Sequence, residues 1–252
     1  MTSTYPFNIN NLPHGRGNRR NTMVAIVLDT ETHKLGGNAC ELAWMDVKID
    51  GGIIERGGSL DMRFNPLEPM TYGAMAVHGI TDAVVARCSQ HTEIPHYMPK
   101  GLEYIIGHQV DYDCAVLERA GVDLSGVRRI CTLALARRHI DCDSHTLGAL
   151  FLYVAGVNNG NIHTVRQSHG AWTDVQMTVA VLDHLVGRLG VLSFDALYDL
   201  SQDARIPIVM PFGEHKDKKI SDLPAKYVGW LLKQPDLDPY LRHALTPEKL
   251  TF

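Results

Sequence analysis

Four carboxylates and one imidazole stand out in three short stretches: Asp29 and Glu31 of Asp29-Thr30-Glu31, one of the two acids in the run His108-Gln109-Val110-Asp111-Tyr112-Asp113, and the pair His169 and Asp174. Carboxylate oxygens suit Mg²⁺ or Mn²⁺ and not zinc. Two such ions held by acids can activate a water, grip a phosphodiester and stabilise the leaving oxygen. A histidine titrating near neutrality can take the water's proton. Asp-x-Glu alone is commonplace, but the whole set is the inventory that phosphodiester hydrolysis needs. Very little else in the chain competes with it, since there is no G-x-S-x-G elbow, no Walker loop and no paired cysteine motif.

These residues work only if the chain brings them together. Met23 to Leu28 is an apolar run ending at Asp29, the pattern of a central strand with chemistry at its tip. Asp29 and Glu31 are two apart and so share one face of that strand. Residues 40–49 and 52–60 read as strands, and Asp50-Gly51-Gly52 between them is a hairpin signal. Three antiparallel strands are expected. Pro66 and Pro69 then break the pattern, and short helices are expected over 71–78 and 81–88, parted by Gly79. A brief strand over 103–107 precedes a helix over 112–120 that Gly121 ends.

Asp111 and Asp113 both fall at the start of that helix, where an acid also serves routinely against the helix dipole. Spacing alone leaves the choice between them open. A short strand over 129–131, a helix from Thr132 to His139 and helices near 146–155, 172–188 and 193–203 complete the reading. On a continuous helix His169 and Asp174 would lie on roughly opposite faces. They converge if His169 sits on the preceding loop, which Gly170 permits. Strands first and alternating units later indicate an α/β fold with a mixed sheet.

The chain has 252 residues, 45% hydrophobic content and a formal net charge of −4. That is an ordinary folded core without bulk cationic attraction for nucleic acid, so phosphate binding must come from metal ions or local basic clusters. The five cysteines show no paired spacing, which reads as reduced thiols in a cytoplasmic protein. His139, Cys142 and His145 lack the second ligand pair of a zinc site. No apolar run reaches spanning length, and the first 22 residues lack the apolar core of a secretory signal. The glycine pair Gly15 and Gly17 follows no strand, so this stretch reads as a flexible basic tail.

The organisation expected is a tail over 1–22, a catalytic domain over 23–204 and a small module over 205–252. Lys216, Lys218, Lys219 and Lys226 interleave there with Tyr227 and Trp230. Such a pattern suits a single-strand platform or a solvated face over a small core. The Tyr227 to Leu232 run favours packing for the aromatics, Trp230 included.

Leu28-Asp29-Thr30-Glu31-Thr32, Ile106 through Asp113 and His169 through Asp174 resemble the three motifs of the DEDDh 3′–5′ exonucleases of the RNase H-like superfamily. Ala76 through Thr81 and Cys131 through Arg137 are similar to that family's connecting segments. Ile94 through Tyr97 and Met210 through Leu245 resemble the exodeoxyribonuclease X subfamily. The resemblance implies a mixed five-stranded sheet flanked by helices, with a small accessory module after it. It selects Asp113 over Asp111. It implies that Asp29, Glu31, Asp113 and Asp174 hold two Mg²⁺ ions, for which Mn²⁺ can substitute, and that His169 is the general base.

By the same resemblance, Thr30 offers its backbone to the terminal nucleotide, Leu35 wedges against the terminal bases, and His78 and Ile80 line the nucleotide pocket. Gln109 stands where the family usually has Asn, Tyr112 where it has Phe, Lys34 where it has Gly and Trp172 where Leu is common. The expected activity is release of nucleoside 5′-monophosphates from DNA 3′ ends, single-stranded or duplex, in a DNA repair setting, by a monomer or homodimer with no membrane association. The rivals are an exoribonuclease like ribonuclease T or oligoribonuclease, and a non-catalytic nucleic-acid-binding module.

Overall fold

The computed structural model describes residues 24–246. The N-terminal tail, with Gly15 and Gly17, and Met23 of the first apolar run lie outside them. Strands β1 (Val24–Thr32), β2 (Ala39–Asp50) and β3 (Ile53–Arg63) come first, then helices α1 (Tyr72–His78) and α2 (Asp82–Val85). A 3-10 turn over His91–Tyr97 leads into β4 (Leu102–Gly107), α3 (Val110–Arg119), β5 (Arg128–Cys131) and α4 (Thr132–His139). Helices α5 (Leu147–Ala155), α6 (Asn159–Arg166), α7 (Ala171–Leu189) and α8 (Phe194–Arg205) follow. The chain ends in α9 (Ala225–Leu231) and α10 (Pro239–Leu245). No single helix among the described residues is long and apolar enough to cross a membrane.

The sheet runs β3-β2-β1-β4-β5. The meander β1-β2-β3 is antiparallel, and β4 and β5 join β1 in parallel. β1 is thus the central strand, and Ala25 through Leu28 are buried on both of its faces, which is why its sequence is a continuous apolar run. Ala25 and Val27 face a layer of α4, α5, α7 and α8, whereas Ile26 and Leu28 face α3 and the 3-10 turn. Strand parity therefore aims Asp29 and Glu31 toward the α7 layer.

Two elements differ from the sequence reading. The helix expected over 81–88 is a single turn, Asp82–Val85. Residues 159–166, unassigned in that reading, form α6, capped by the Asn158 side chain on the Asn161 N–H. That helix buries no residue of its own, so it leaves no apolar period to read. Met210, Leu223, Leu231, Leu241 and Leu245 form a small core of their own in the C-terminal stretch. Trp230 does not join it: the residue is 55% exposed, and its ring lies against Tyr227 with centroids 5.7 Å apart. The expectation that Trp230 packs inside is corrected. Its helix is seven residues long and turns Leu231 inward instead.

Candidate active site

The acids converge at the C-terminal end of β1. Ligand atoms of Glu31, His169 and Asp174 all lie within 4.8 Å of one another. Asp29 and Asp113 stand outside that group but act on it through charge. Burial and the neighbouring Asp113, Asp174, Glu31 and Glu41 push the Asp29 carboxyl well above its ordinary value. Burial, then Asp174, Glu41 and Asp113, raise Glu31 to about 8. Burial raises Asp174 to about 6 against the opposing pull of His169. So many oxygen donors, each resisting ionisation because of burial and its neighbours, fit a hard divalent cation.

Asp113 arrives from the other side of the sheet. Its side chain is 4% exposed, and its Oδ1 accepts from both the Thr30 N–H at 2.9 Å and the Thr30 hydroxyl at 2.7 Å. Burial raises it to about 7, while the Thr30 hydrogen bonds pull the other way. Asp111 turns outward instead and accepts from Arg205 at 2.6 Å. That guanidinium also reaches the Tyr240 hydroxyl on α10 at 2.7 Å, so the same turn of α3 is tied to the C-terminal module. α3 starts from Gln109 in a left-handed conformation, φ +76°, which Asn tolerates better than Gln.

His169 does sit on a loop, with α7 beginning at Ala171. It too is left-handed, φ +72°, a conformation uncommon outside glycine and found at sites where backbone strain is kept for function. Its backbone N–H reaches Asp174 Oδ1 at 3.4 Å.

One residue escaped the sequence reading. Glu41 is 7% exposed and pairs directly with Glu31 across the β1–β2 ladder. It shares parity with Ala43, Met45 and Val47, all inward on that strand. An acid at an otherwise apolar parity is the signal that could have found it.

Leu35 tips the β1–β2 turn with 94% exposure. Asn38 N–H donates to His33 Nδ1 at 2.9 Å, which leaves the Nε2 proton facing Glu68 at 3.2 Å. Lys34 also pairs with Glu68, at 2.8 Å. The Tyr112 hydroxyl bonds Thr32 Oγ1 at 2.8 Å and accepts from the Gly36 N–H at 3.3 Å. Arg119 donates to the Gly37 carbonyl at 2.8 Å.

His78 accepts from the Ile80 N–H at Nδ1, 3.0 Å away, and so presents Nε2–H to the Thr32 carbonyl at 3.3 Å. Ile80 is buried among Cys40, Met70 and Val85. The Thr30 N–H is committed to Asp113, so a contact of Thr30 with a nucleotide must use another of its groups. Trp172 packs against the larger core.

The sheet order and its flanking helices are those of an RNase H-like exonuclease domain. Exodeoxyribonuclease 10 of Escherichia coli (strain K12) is 30% identical over 226 residues, covering 87% of this chain and 96% of that protein. The solved structure of exonuclease X in complex with 5′ overhanging duplex DNA matches with a TM-score of 0.56 and 26% identity, over 70% of this chain and 99% of that one. The zinc-bound form of the Escherichia coli exonuclease I complex with single-stranded DNA shares the fold, with a TM-score of 0.53 and 19% identity over 73% of this chain and 44% of that one. A family model described as "Putative quorum-sensing-regulated virulence factor" matches residues 203–236. The chain belongs to the exodeoxyribonuclease X family of DEDDh exonucleases, which use divalent metals.

Proposed function

We propose that this chain is a 3′–5′ exodeoxyribonuclease that removes nucleoside 5′-monophosphates from DNA 3′ ends, with Mg²⁺ as its working metal. The observation that carries the reading is the cluster of Glu31, His169 and Asp174 within 4.8 Å, beside Asp29 and Asp113, in a chain 30% identical to a named exodeoxyribonuclease. Asp29, Glu31, Asp113 and Asp174 hold the metals. The ions, when bound, supply an activated water and neutralise charge on the phosphate.

His169 takes the proton of the attacking water. The water oxygen bonds to phosphorus as the bond from phosphorus to the O3′ of the penultimate nucleotide breaks, and that oxygen takes a proton from solvent to become the new 3′ hydroxyl. Leu35 stacks on the terminal bases, and His78 and Ile80 shape the nucleotide pocket. The catalytic domain is assigned to 23–204 and the accessory module to 205–252. Matched DNA and RNA oligonucleotides digested side by side with Mg²⁺ test the reading: faster loss of DNA from the 3′ end is expected, and a wide preference for RNA overturns it.

A further inference from the structure

Glu41 is the acid that the nuclease reading leaves without a part. It stands opposite Glu31 on the adjacent strand, an arrangement in which like charges destabilise one another. A buried carboxylate in that position costs stability unless it is held. Two groups hold it. Arg63, its partner in the β2–β3 register, donates from Nε to Oε1 at 3.2 Å. The Ala171 N–H donates to Oε2 at 2.9 Å.

Ala171 is the first residue of α7, where the backbone N–H groups have no partner inside the helix and carry partial positive charge. The N-cap residue is Gly170, which has no side chain to serve them. Glu41 supplies the missing acceptor from the sheet, 130 residues away in sequence. The junction matters because His169 lies two residues before Ala171 and Asp174 three after it. Ala171 is also buried in the core, but the other hydrogen bonds of the loop are local: Ser168 N–H to the Val165 carbonyl at 3.2 Å, Asp174 N–H to the Gly170 carbonyl at 3.1 Å, and His169 N–H to Asp174 at 3.4 Å.

We propose that Glu41 is the positioning residue of this site: it seats the first turn of α7 on the sheet and so sets His169 and Asp174 against Glu31. The assignment rests on the nuclease reading for its purpose, but its test does not need turnover. Glu41→Ala removes the seat, whereas Glu41→Gln keeps an oxygen for the Ala171 N–H and removes the charge. Two readouts are independent of cleavage: titration of Mn²⁺ into metal-free protein by calorimetry, and amide hydrogen exchange across residues 169–175.

For Glu41→Ala, Mn²⁺ affinity and kcat should each fall about 10–100-fold, the usual loss when a group orienting metal ligands is removed. KM for DNA should hold, and the amides should exchange faster. Glu41→Gln should restore protection and bring both values back to within a few-fold of the parent. Parental Mn²⁺ affinity and protection in Glu41→Ala overturn the assignment, as does equal impairment of the two variants. Should Glu41→Ala not fold, Glu41→Gln decides: lost protection at Ala171, or lost Mn²⁺ binding with protection intact, counts against the seat. A wild-type protein that cleaves no DNA would sink the nuclease reading and leave the exchange and titration results to judge Glu41.

Discussion

Two loops flank the acids, and they are built in opposite ways. The loop over residues 33–37 is fastened on every side, by Asn38 and Glu68 to His33, by Tyr112 to Gly36 and by Arg119 to Gly37. The loop that carries His169 is strained at its own backbone and meets the fold only at its far end, where Ala171 is buried in the core and its N–H donates to Glu41. The difference matches what each would have to do. A side chain that pushes against stacked bases needs a support that does not yield. A proton acceptor must settle on a water whose place depends on bound metal and substrate, and catalytic hydrogen bonds often tighten only in that complex.

The comparison can be broken at several points. The largest effect should follow His169→Ala, which is expected to lower kcat by about 10²–10⁴-fold, the usual weight of a general base. Mn²⁺ binding should persist, and a variant keeping full activity would remove His169 from the mechanism. Gly37→Ala should be next. Its new Cβ would lie 2.6 Å from Cε1 of the His33 ring, which is 1% exposed and bonded on both sides. Overpacking of this kind costs about 1–3 kcal/mol, read as a lower melting temperature. A variant melting like the parent would show the 33–37 loop to be pliable.

Tyr112→Phe deletes the hydroxyl that joins Thr32 and Gly36. Each neutral bond contributes about 0.5–1.5 kcal/mol. Digestion of duplex ends should slow several-fold while digestion of single strands holds, and equal slowing of both would deny the loop a role in opening ends. A further effect is one of pH. Asp174 at about 6 and Glu31 at about 8 titrate above ordinary carboxylates because of burial and their neighbours. Metal-free protein therefore binds more protons folded than unfolded, and its stability falls as pH rises through that window. The melting temperature of EDTA-treated protein should drop steadily between about pH 5 and about pH 8. Added Mg²⁺ should flatten the slope, and a level curve without metal would contradict it.

The legible parts of this molecule are those whose cause is local. The run before Asp29 declares the central strand, Asp50-Gly51-Gly52 declares the hairpin, and the five-residue gap between His169 and Asp174 forces a loop before a helix. The illegible parts depend on residues far apart in sequence. Nothing near Asp111 or Asp113 says that one meets Thr30 and the other Arg205; the resemblance chose between them, and spacing did not. Glu41 passes as an ordinary strand residue until β1 and α7 are placed beside it. The polar stretch over 159–166 becomes a helix with little apolar face to announce it.

Leu35 has one more consequence. Contacts from lysine or arginine to phosphate weaken steeply as salt rises, because they draw on released counterions. A chain of net charge −4 has no bulk cationic attraction to add to them. A leucine 94% exposed in the free protein would, if bases cover it as proposed, add an attraction with no counterion to release, whose mark is a negative change in heat capacity. This chain's hold on a DNA end should therefore keep an apolar component in brine that strips ordinary cationic binders from the backbone.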